Sequence, residues 1–206
     1  MNKRLVWNFE LEPTTSLHIP ANALACAAEM RWEMRCFWPE DAIICLKGLT
    51  EHFLELSQFQ LKKREDTYYL LDNAPLNIKM RRGQIVYKPL LAKKEHAMAY
   101  GRKIILDEQG AAATLPGAEN ITVEELLGQI KASGKKIAVS KDAFVYKFST
   151  EPATKLELAR LCVQDKIYFS LSIESRALSL VETFAQYLLA TWISCDYVTF
   201  LKSILV

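Results

Sequence analysis

The sequence lacks the cysteine and histidine patterns that would assign a metal or redox function directly. Its three histidines are scattered, and its five cysteines, an odd number, contain no Cys-x-x-Cys pair. This spacing excludes a zinc-finger pattern and a framework of paired disulfides, and it is typical of reduced, mostly buried thiols in a cytoplasmic protein. These residues are Cys26, Cys36, Cys45, Cys162 and Cys195, and His18, His52 and His96.

Long apolar runs are also missing. The first residues contain Asn8 and Glu10 in place of the sustained apolar core of a signal peptide. The longest uncharged run near the C-terminus, Thr183 to Cys195, is shorter than the roughly 20 residues that span a bilayer. We therefore expect a cytoplasmic protein with no membrane partner.

Charge of one sign is not in excess either, because 26 basic residues face 24 acidic ones. A general nucleic-acid-binding protein is usually more basic, so we expect no nucleic-acid partner. Any preference for an anion must come from local placement of the cations. The chain has 206 residues, half of them apolar, and shows no internal repeat, which predicts a single globular domain over 1–206.

What the sequence does contain is strands with charges at alternate positions. In Asn77 to Lys88, period-2 alternation surrounds an Arg-Arg-Gly turn, so Asn77, Lys79 and Arg81 share one face. Similar patterns recur at 31–38, 137–148, 155–161 and 168–174. Their alternating polar residues are Arg31, Glu33, Arg35, Lys141, Lys147, Lys155, Glu157, Ser170, Ser172 and Glu174.

Two interpretations of these strands stay open. An ordinary half-buried sheet would place the charges in solvent, opposite an apolar core. Alternatively, several such strands together could line a channel, where Lys and Arg bind phosphate oxygens and Asp or Glu binds a hard cation.

The order of these motifs resembles the CYTH-like, triphosphate tunnel metalloenzyme superfamily, from about Met30 to about Ser175. The family's opening Glu-x-Glu-x-Lys strand is similar to Arg31-Trp-Glu33-Met-Arg35, and its Asp-x-Tyr-Tyr element is similar to Asp66-Thr-Tyr68-Tyr69. Its basic hairpin resembles Lys79-Met-Arg81 with Lys88. Its later strands resemble Val139-Ser-Lys141, Leu156-Glu157-Leu158 and Ile173-Glu174.

The chain departs from this pattern where the family has carboxylates. Arg31 replaces the first Glu and Arg35 replaces the Lys, so one acidic residue on the metal side is missing. A rival register opens at Glu10-Leu-Glu12, but Pro13 follows at once and favours a strand end. These departures leave enough charge to bind an anion and weaken the case for metal-dependent hydrolysis.

The resemblance implies an α+β fold, an antiparallel β-barrel of about eight strands around a polar tunnel with flanking helices. It implies a phosphohydrolase that binds triphosphate or polyphosphate, with Mg²⁺ or Mn²⁺ as cofactor. A non-catalytic module for a phosphorylated ligand, or a structural one with paired charges, is the alternative, and an all-β interaction domain is a third. The implied ligand-binding residues are Arg31, Arg35, Lys79, Arg81, Lys88 and Lys141, and the implied metal ligands are Glu33, Glu157 and Glu174.

Helices are predicted between and after the strands. Glu40 to Leu56 has amphipathic spacing, and Thr122-Val-Glu-Glu125 has the form of a capping box. Residues 177–206 show the strongest helical pattern, following the barrel, whereas 1–28 would be an N-terminal extension. The C-terminal helix either packs on the outside of the barrel or forms a homodimer interface. Lys62-Lys-Arg64 is most simply the solvated end of a helix.

Overall fold

The computed structural model describes residues 2–12, 29–107, 111–189 and 193–205. Among these, the strands are β1 (Lys3–Val6), β2 (Phe9–Leu11), β3 (Arg31–Pro39), β4 (Ile44–Leu46), β5 (Gln60–Leu71), β6 (Ala74–Arg81), β7 (Gln84–Lys88), β8 (Leu90–Lys94), β9 (Ala97–Tyr100), β10 (Ile104–Ile105), β11 (Lys135–Phe148), β12 (Thr154–Val163) and β13 (Lys166–Ser175). The helices are α1 (Val123–Ser133), α2 (Leu178–Leu188) and α3 (Tyr197–Ser203). None of these helices is long and apolar enough to cross a membrane.

The strands form two sheets. The large sheet is antiparallel and has ten strands in the order β10-β7-β6-β5-β11-β12-β13-β3-β9-β8, and it curls into a half-barrel. The small sheet has the order β1-β2-β4, with β2 and β4 parallel. Together with three helices this is an α+β fold built on a curled antiparallel sheet, as the sequence predicted.

The two ends of the large sheet are connected through a single residue. β7 pairs with β6 near one end, and β8 pairs with β9 at the other, yet only Pro89 separates β7 from β8 in the chain. Proline lacks an amide N–H and so interrupts the ladder at this point. Beside the interruption, the Gly101 amide donates a hydrogen bond to the Pro89 carbonyl at 3.0 Å.

Tight turns set the register of the hairpins. Arg82 and Gly83 connect β6 to β7 with φ of 52° and 77°, and Gln164 and Asp165 connect β12 to β13 with φ of 49° and 62°. Two consecutive positive φ angles are the requirement of a type I′ turn, whose twist matches that of the flanking strands. Arg82 is exposed at its turn, as expected from its position opposite Arg81.

Apolar residues on the outer face of the sheet pack against the small sheet and α2. Trp32, Met34 and Cys36 of β3 are buried there with Phe9 of β2 and Phe184 of α2. The alternation of β3 thus sends its large aromatic residue outward and its charged residues inward, as expected. The α2 helix packs on the outside of the sheet, which was one of the two predicted alternatives.

Along the inner face, the strands β5 and β12 change from charged to apolar side chains. On β5 the inner residues begin with Lys62 and end with Leu70, and on β12 they begin with Lys155 and end with Val163. The short helix α3 packs against the apolar half, where Leu201 is fully buried. Consequently α3 fills one part of the barrel interior and leaves the charged part open.

Three predicted elements are wrong in detail. No helix spans 40–56, because Ile44–Leu46 pairs with β2, and only two 3-10 turns, Glu51–Leu54 and Leu56–Gln58, follow it. The predicted C-terminal helix is not continuous: α2 ends at Leu188, α3 begins at Tyr197, and Thr191 and Trp192 lie outside the described residues.

The third error concerns Lys62-Lys-Arg64, which lies inside the strand β5 and not at a helix end. The predicted strand at 137–148 is confirmed as part of β11. β5 and β11 pair with each other from Gln60↔Val145 to Leu70↔Lys135. This long ladder fixes both segments as strands, whatever their local charge pattern favours.

Candidate functional site: a cationic cavity

The charged half of the barrel interior encloses a cavity of about 450 Å³. All nine residues that the sequence predicted for ligand or metal binding line it. They are Arg31, Arg35, Lys79, Arg81, Lys88, Lys141, Glu33, Glu157 and Glu174. Because alternate residues of a strand line one face, these side chains all lie on the same face of the sheet. The sheet curls so that this face points inward, and the charges therefore line the cavity and do not face bulk solvent on the outside.

Cations far outnumber carboxylates around this cavity. Its lining contains eleven Lys and Arg side chains and three Glu side chains, whereas the whole chain has a net charge of only +2. The positive charge of the protein is therefore concentrated inside the barrel. A concave, partly desolvated surface of one sign focuses its field on an ion of the opposite sign.

The centre of the lining is a network around Arg35. Its guanidinium donates to Glu33 at 2.9 Å and to Glu157 at 3.2 Å. It also donates to the hydroxyls of Ser170 and Ser172 at 3.2 and 2.9 Å, so that β3, β12 and β13 are joined through one side chain. Arg35 is 8% exposed, which makes this a buried charge with nearly all of its donors satisfied.

Two lysines complete this network. Lys88 donates to Glu33 at 2.7 Å, and Lys141 donates to Glu157 at 2.8 Å. Burial raises the pKa of Glu33, but Lys88 and Arg35 outweigh it and hold that pKa well below its usual range. Burial is likewise outweighed at Glu157, where Lys141 and Arg35 lower the pKa to about 2. Both carboxyls are ionised at neutral pH.

A second network surrounds Asp66, which the sequence analysis matched to a family motif without placing it in the site. Asp66 accepts two hydrogen bonds from the Arg81 guanidinium and one from Lys79 at 3.0 Å. Burial opposes ionisation of Asp66, but the bond from Arg81 and the charge of Lys79 lower its pKa to about 2. Burial, assisted by the charges of Arg81 and Lys141, lowers the pKa of Lys79 to about 7, although Asp66 acts in the opposite direction.

At the rim, Glu174 is shared by two cations. Arg31 donates to Glu174 at 2.6 Å, and Lys155 lies 3.6 Å from the same carboxylate oxygen. Arg31 is half exposed, so this pair is more strongly screened than the networks inside. Glu174 and Glu33 are direct cross-strand neighbours, and each carboxylate is compensated by its own basic residues.

Four cations of the lining have no carboxylate within ion-pair distance among the described residues. They are Lys62, Arg64, Arg102 and Lys103. Burial and the neighbouring charges of Arg64 and Lys155 lower the pKa of Lys62. Burial, with Arg81 and Lys88, lowers that of Lys103. Like charges thus repel one another across the open part of the cavity.

The inner end of the cavity is closed by Tyr197 from α3. Its ring stacks on Tyr68 with centroids 5.3 Å apart, and the Arg35 guanidinium carbon lies 4.8 Å above it. The ring faces of tyrosines attract cations, so Tyr197 contacts the central network without competing for its carboxylates. This contact arises between residues distant in sequence, and the alternation of the strands gave no signal for it.

The predicted metal ligands are engaged with basic side chains. One oxygen of Glu33 faces Arg35 and the other faces Lys88, while Glu157 and Glu174 each use one oxygen for two cations. Among the described residues, no group of three or more His, Cys, Asp or Glu is arranged to hold a metal ion. This donor set, occupied by basic side chains, does not fit a divalent cation.

The rival register at Glu10 and Glu12 is wrong. Glu10 belongs to β2 of the small sheet and pairs with Arg4 at 3.0 Å, and Glu12 pairs with Lys47 at 3.6 Å. Neither residue lines the cavity. The sequence analysis missed two lining residues, Lys62 and Arg64. They lie at alternate positions with Asp66 and Tyr68 on β5 and so point to the same face, which means that predicting a strand here would have been enough to find them.

Comparison with known proteins assigns no family to this chain. No family model matches the sequence, and no curated protein matches it. Among solved structures, the chain is similar to a putative adenylate cyclase from Bacillus halodurans, with 13% sequence identity and a TM-score of 0.39 over 77% of this chain and 88% of that one. At this level the similarity carries no information on function, and membership of the CYTH-like superfamily stays a prediction from the motifs.

Proposed function

We propose that the cavity binds a triphosphate or another phosphorylated anion. The observation that carries this proposal is the excess of cations in the lining, eleven against three carboxylates, in a space of about 450 Å³. Unneutralised like charges in a partly desolvated space are costly, and a polyanion relieves that cost. Arg and Lys are also the side chains that bind phosphate oxygens in general.

The number of unpaired cations fits an extended anion better than a single small ion. Arg35, Lys88 and Lys141 have carboxylate partners that neutralise part of their charge. Lys62, Arg64, Arg102 and Lys103 line the same cavity and have no such partner among the described residues. A chain of phosphate groups carries enough negative charge to neutralise these four cations, whereas one sulfate or phosphate would neutralise only part of their charge.

The family resemblance also implies hydrolysis of a phosphoanhydride bond, and the site supports hydrolysis less well than binding. In the resembled family, carboxylates hold a divalent metal that orients water, but here Arg31 occupies the position of one of those carboxylates and pairs with Glu174. A guanidinium repels a metal cation. We therefore propose binding as the primary function and expect weak or absent triphosphatase activity.

Inorganic triphosphate in a thermal-shift titration, with and without Mg²⁺, tests the binding proposal. A ligand at about 100 times its dissociation constant stabilises by roughly 2.7 kcal/mol, a readily visible shift. Arg64→Gln should raise the dissociation constant of triphosphate at least tenfold and so reduce the thermal shift. The unliganded variant should be as stable as the parent or more stable, because Arg64 has no carboxylate partner among the described residues.

The matched control is Lys63→Gln, one residue earlier on the same strand. Lys63 is exposed on the outer face, so this change removes the same charge from the protein without removing it from the cavity. Equal losses in both variants would indicate a general charge effect. No stabilisation of the parent by triphosphate would contradict the proposal and favour the structural alternative, in which the paired charges bind no ligand.

A separate experiment addresses the metal. Arg31→Glu replaces the rim guanidinium with a carboxylate beside Glu174, and we expect it to strengthen binding of Mn²⁺ in calorimetric titration. Arg31→Gln is the control, since it removes the positive charge without adding an oxygen anion. Tight Mn²⁺ binding and triphosphate turnover by the parent would contradict the expectation that the metal site is degenerate.

A further inference from the structure

Lys79 is a largely buried amine that shares the carboxylate of Asp66 with an arginine. Its side chain is 12% exposed, and its Nζ atom donates to Asp66 at 3.0 Å and to the Tyr68 hydroxyl at 3.3 Å. Arg81, however, contacts both oxygens of the same carboxylate. Because a guanidinium stays charged in proteins, Arg81 alone neutralises Asp66. The Lys79 ammonium is thus a second cation on one acidic group.

Neighbouring cations favour the uncharged form of this amine. Arg81 on the same strand and Lys141 on β11 both act on Lys79 with charges of its own sign, in a lining of eleven cations and three Glu. Burial, assisted by these charges and opposed by Asp66, lowers the pKa of Lys79. A desolvated lysine beside other cations can offer the lone pair of a nucleophile, whereas an exposed lysine is almost entirely protonated near neutral pH.

A nucleophilic amine inside a cationic cavity suits one class of reagent, the acyl phosphates. These molecules combine a phosphate group, which Lys and Arg bind, with an acyl carbon that an amine attacks. The cations of the lining would hold the phosphate group and so bring the acyl carbon to the Lys79 Nζ atom. An acyl donor without a phosphate group lacks this guidance, and the two kinds of reagent can therefore be compared directly.

We propose that Lys79 is an acylation site for acyl phosphates and that its acylation weakens anion binding in the cavity. This inference rests on the proposed function and adds a regulation of the same site. The lone pair of Nζ forms a bond to the acyl carbon, the bond from that carbon to the phosphate oxygen breaks, and its electron pair leaves with the phosphate. One Nζ proton passes to the released phosphate. The product is an uncharged amide, and the pair of Asp66 with Arg81 stays in place.

Acetylation of the parent protein with acetyl phosphate at pH 8 tests the inference without a variant. Peptide mass spectrometry measures modification of each lysine, and N-hydroxysuccinimidyl acetate, which transfers the same group without a phosphate, is the matched reagent. The internal reference is Lys63, exposed on the outer face of β5. We expect the ratio of modified Lys79 to modified Lys63 to be higher with acetyl phosphate by a factor of about ten or more. Equal ratios, or an unmodified Lys79, would overturn the inference.

Inorganic triphosphate separates this inference from the proposed function. At a saturating concentration it should slow acetylation of Lys79 by acetyl phosphate by a factor of about ten or more, because it occupies the cations that hold the reagent, and leave Lys63 unaffected. If triphosphate stabilises the parent in the thermal-shift titration but does not protect Lys79, the inference is wrong while the proposed function stands. If triphosphate gives no stabilisation, the proposed function fails and this inference fails with it.

The variant Lys79→Arg tests the effect of acylation on binding. Its guanidinium keeps the positive charge and removes the amine nucleophile. Parent and variant are each titrated with inorganic triphosphate in a calorimeter before and after treatment with acetyl phosphate. Treatment should raise the dissociation constant of the parent by a factor of about ten and leave that of the variant as it was before treatment. Equal losses of affinity in both proteins, or an unchanged affinity of the fully acetylated parent, would contradict the regulation.

Discussion

At the scale of single residues, Lys79 is the group whose charge is most finely balanced. Its ammonium bonds to Asp66 at 3.0 Å, yet burial and the charges of Arg81 and Lys141 lower its pKa to about 7. Burial thus brings the pKa of Lys79 from its ordinary alkaline range close to neutral pH. An anion in the cavity would favour the charged form and so raise the pKa of Lys79.

Triphosphate binding should therefore be coupled to proton uptake at Lys79. The affinity should increase as the pH falls from 8 to 6, and calorimetry in buffers of different ionisation enthalpy should detect up to about one proton taken up at pH 8. Lys79→Arg stays charged throughout and serves as the control, because the titration of the ligand itself is the same for both proteins. Equal proton uptake by the two proteins would contradict this role.

The same pKa predicts how the unliganded protein responds to pH. Lys79 binds its proton more weakly in the folded state than in the unfolded state, whose pKa lies near 10.4. Between pH 7 and 10 the unfolded chain binds more protons, so this residue makes stability rise with pH over that interval. Urea denaturation at pH 7 and 9 should show a smaller rise for Lys79→Met than for the parent.

Glu157 offers a second test at this scale. It accepts hydrogen bonds from Arg35 and Lys141, and its side chain is 14% exposed. Glu157→Gln leaves the buried Lys141 without its carboxylate and removes one of the two carboxylates that Arg35 contacts, and losses of about 3–5 kcal/mol are typical of such a broken pair. Inorganic triphosphate should restore part of the lost stability. Glu65→Gln, on the exposed outer face of β5, is the control, and an equal loss there would contradict the explanation.

At the scale of elements, the site could be predicted only on strands whose outward residues are apolar. Alternation correctly assigned Lys79, Arg81 and Glu157 to one face, since outward neighbours such as Ile78 and Leu158 are apolar and buried. On β5 the same logic failed. The outward residues Lys63 and Glu65 are exposed, so both faces are polar and the period-2 pattern disappears.

Pairing between distant segments accounts for the remaining errors. Ile44–Leu46 forms a strand because β2 lies beside it, which its helix-like spacing could not reveal. Tyr197 enters the cavity floor because α3 packs on the apolar half of the barrel interior. Both outcomes depend on contacts between residues far apart in the chain, which override local propensity.

The capping box of α1 was predicted correctly and gives a test at this scale. The Thr122 hydroxyl accepts from the Glu125 amide at 3.2 Å, and the Glu125 carboxylate accepts from the Thr122 amide at 2.8 Å. Thr122→Ala should lower the free energy of unfolding by about 1 kcal/mol, and Thr122→Ser should lower it much less. Urea denaturation measures both. Equal effects of the two changes would show that the hydroxyl is not the cause.

At the scale of the whole molecule, charge is segregated more than the composition suggests. Opposite charges nearly balance over 206 residues, yet eleven cations line one cavity. Binding of a polyanion should accordingly weaken as salt is added, but less steeply than for a surface site, because partly buried charges are screened less. Titration of inorganic triphosphate at 50 and 300 mM NaCl measures this slope, and no change would contradict an electrostatic site.

The connection at Pro89 limits where this protein can accept inserted or deleted residues during evolution. β7 and β8 belong to opposite ends of the sheet, and one residue separates them. Inserting a single residue there would exchange the inner and outer faces of one segment relative to the other, because side chains alternate along a strand. A random insertion library selected for folding should therefore contain insertions at the Gln164–Asp165 turn and be depleted of them at Pro89.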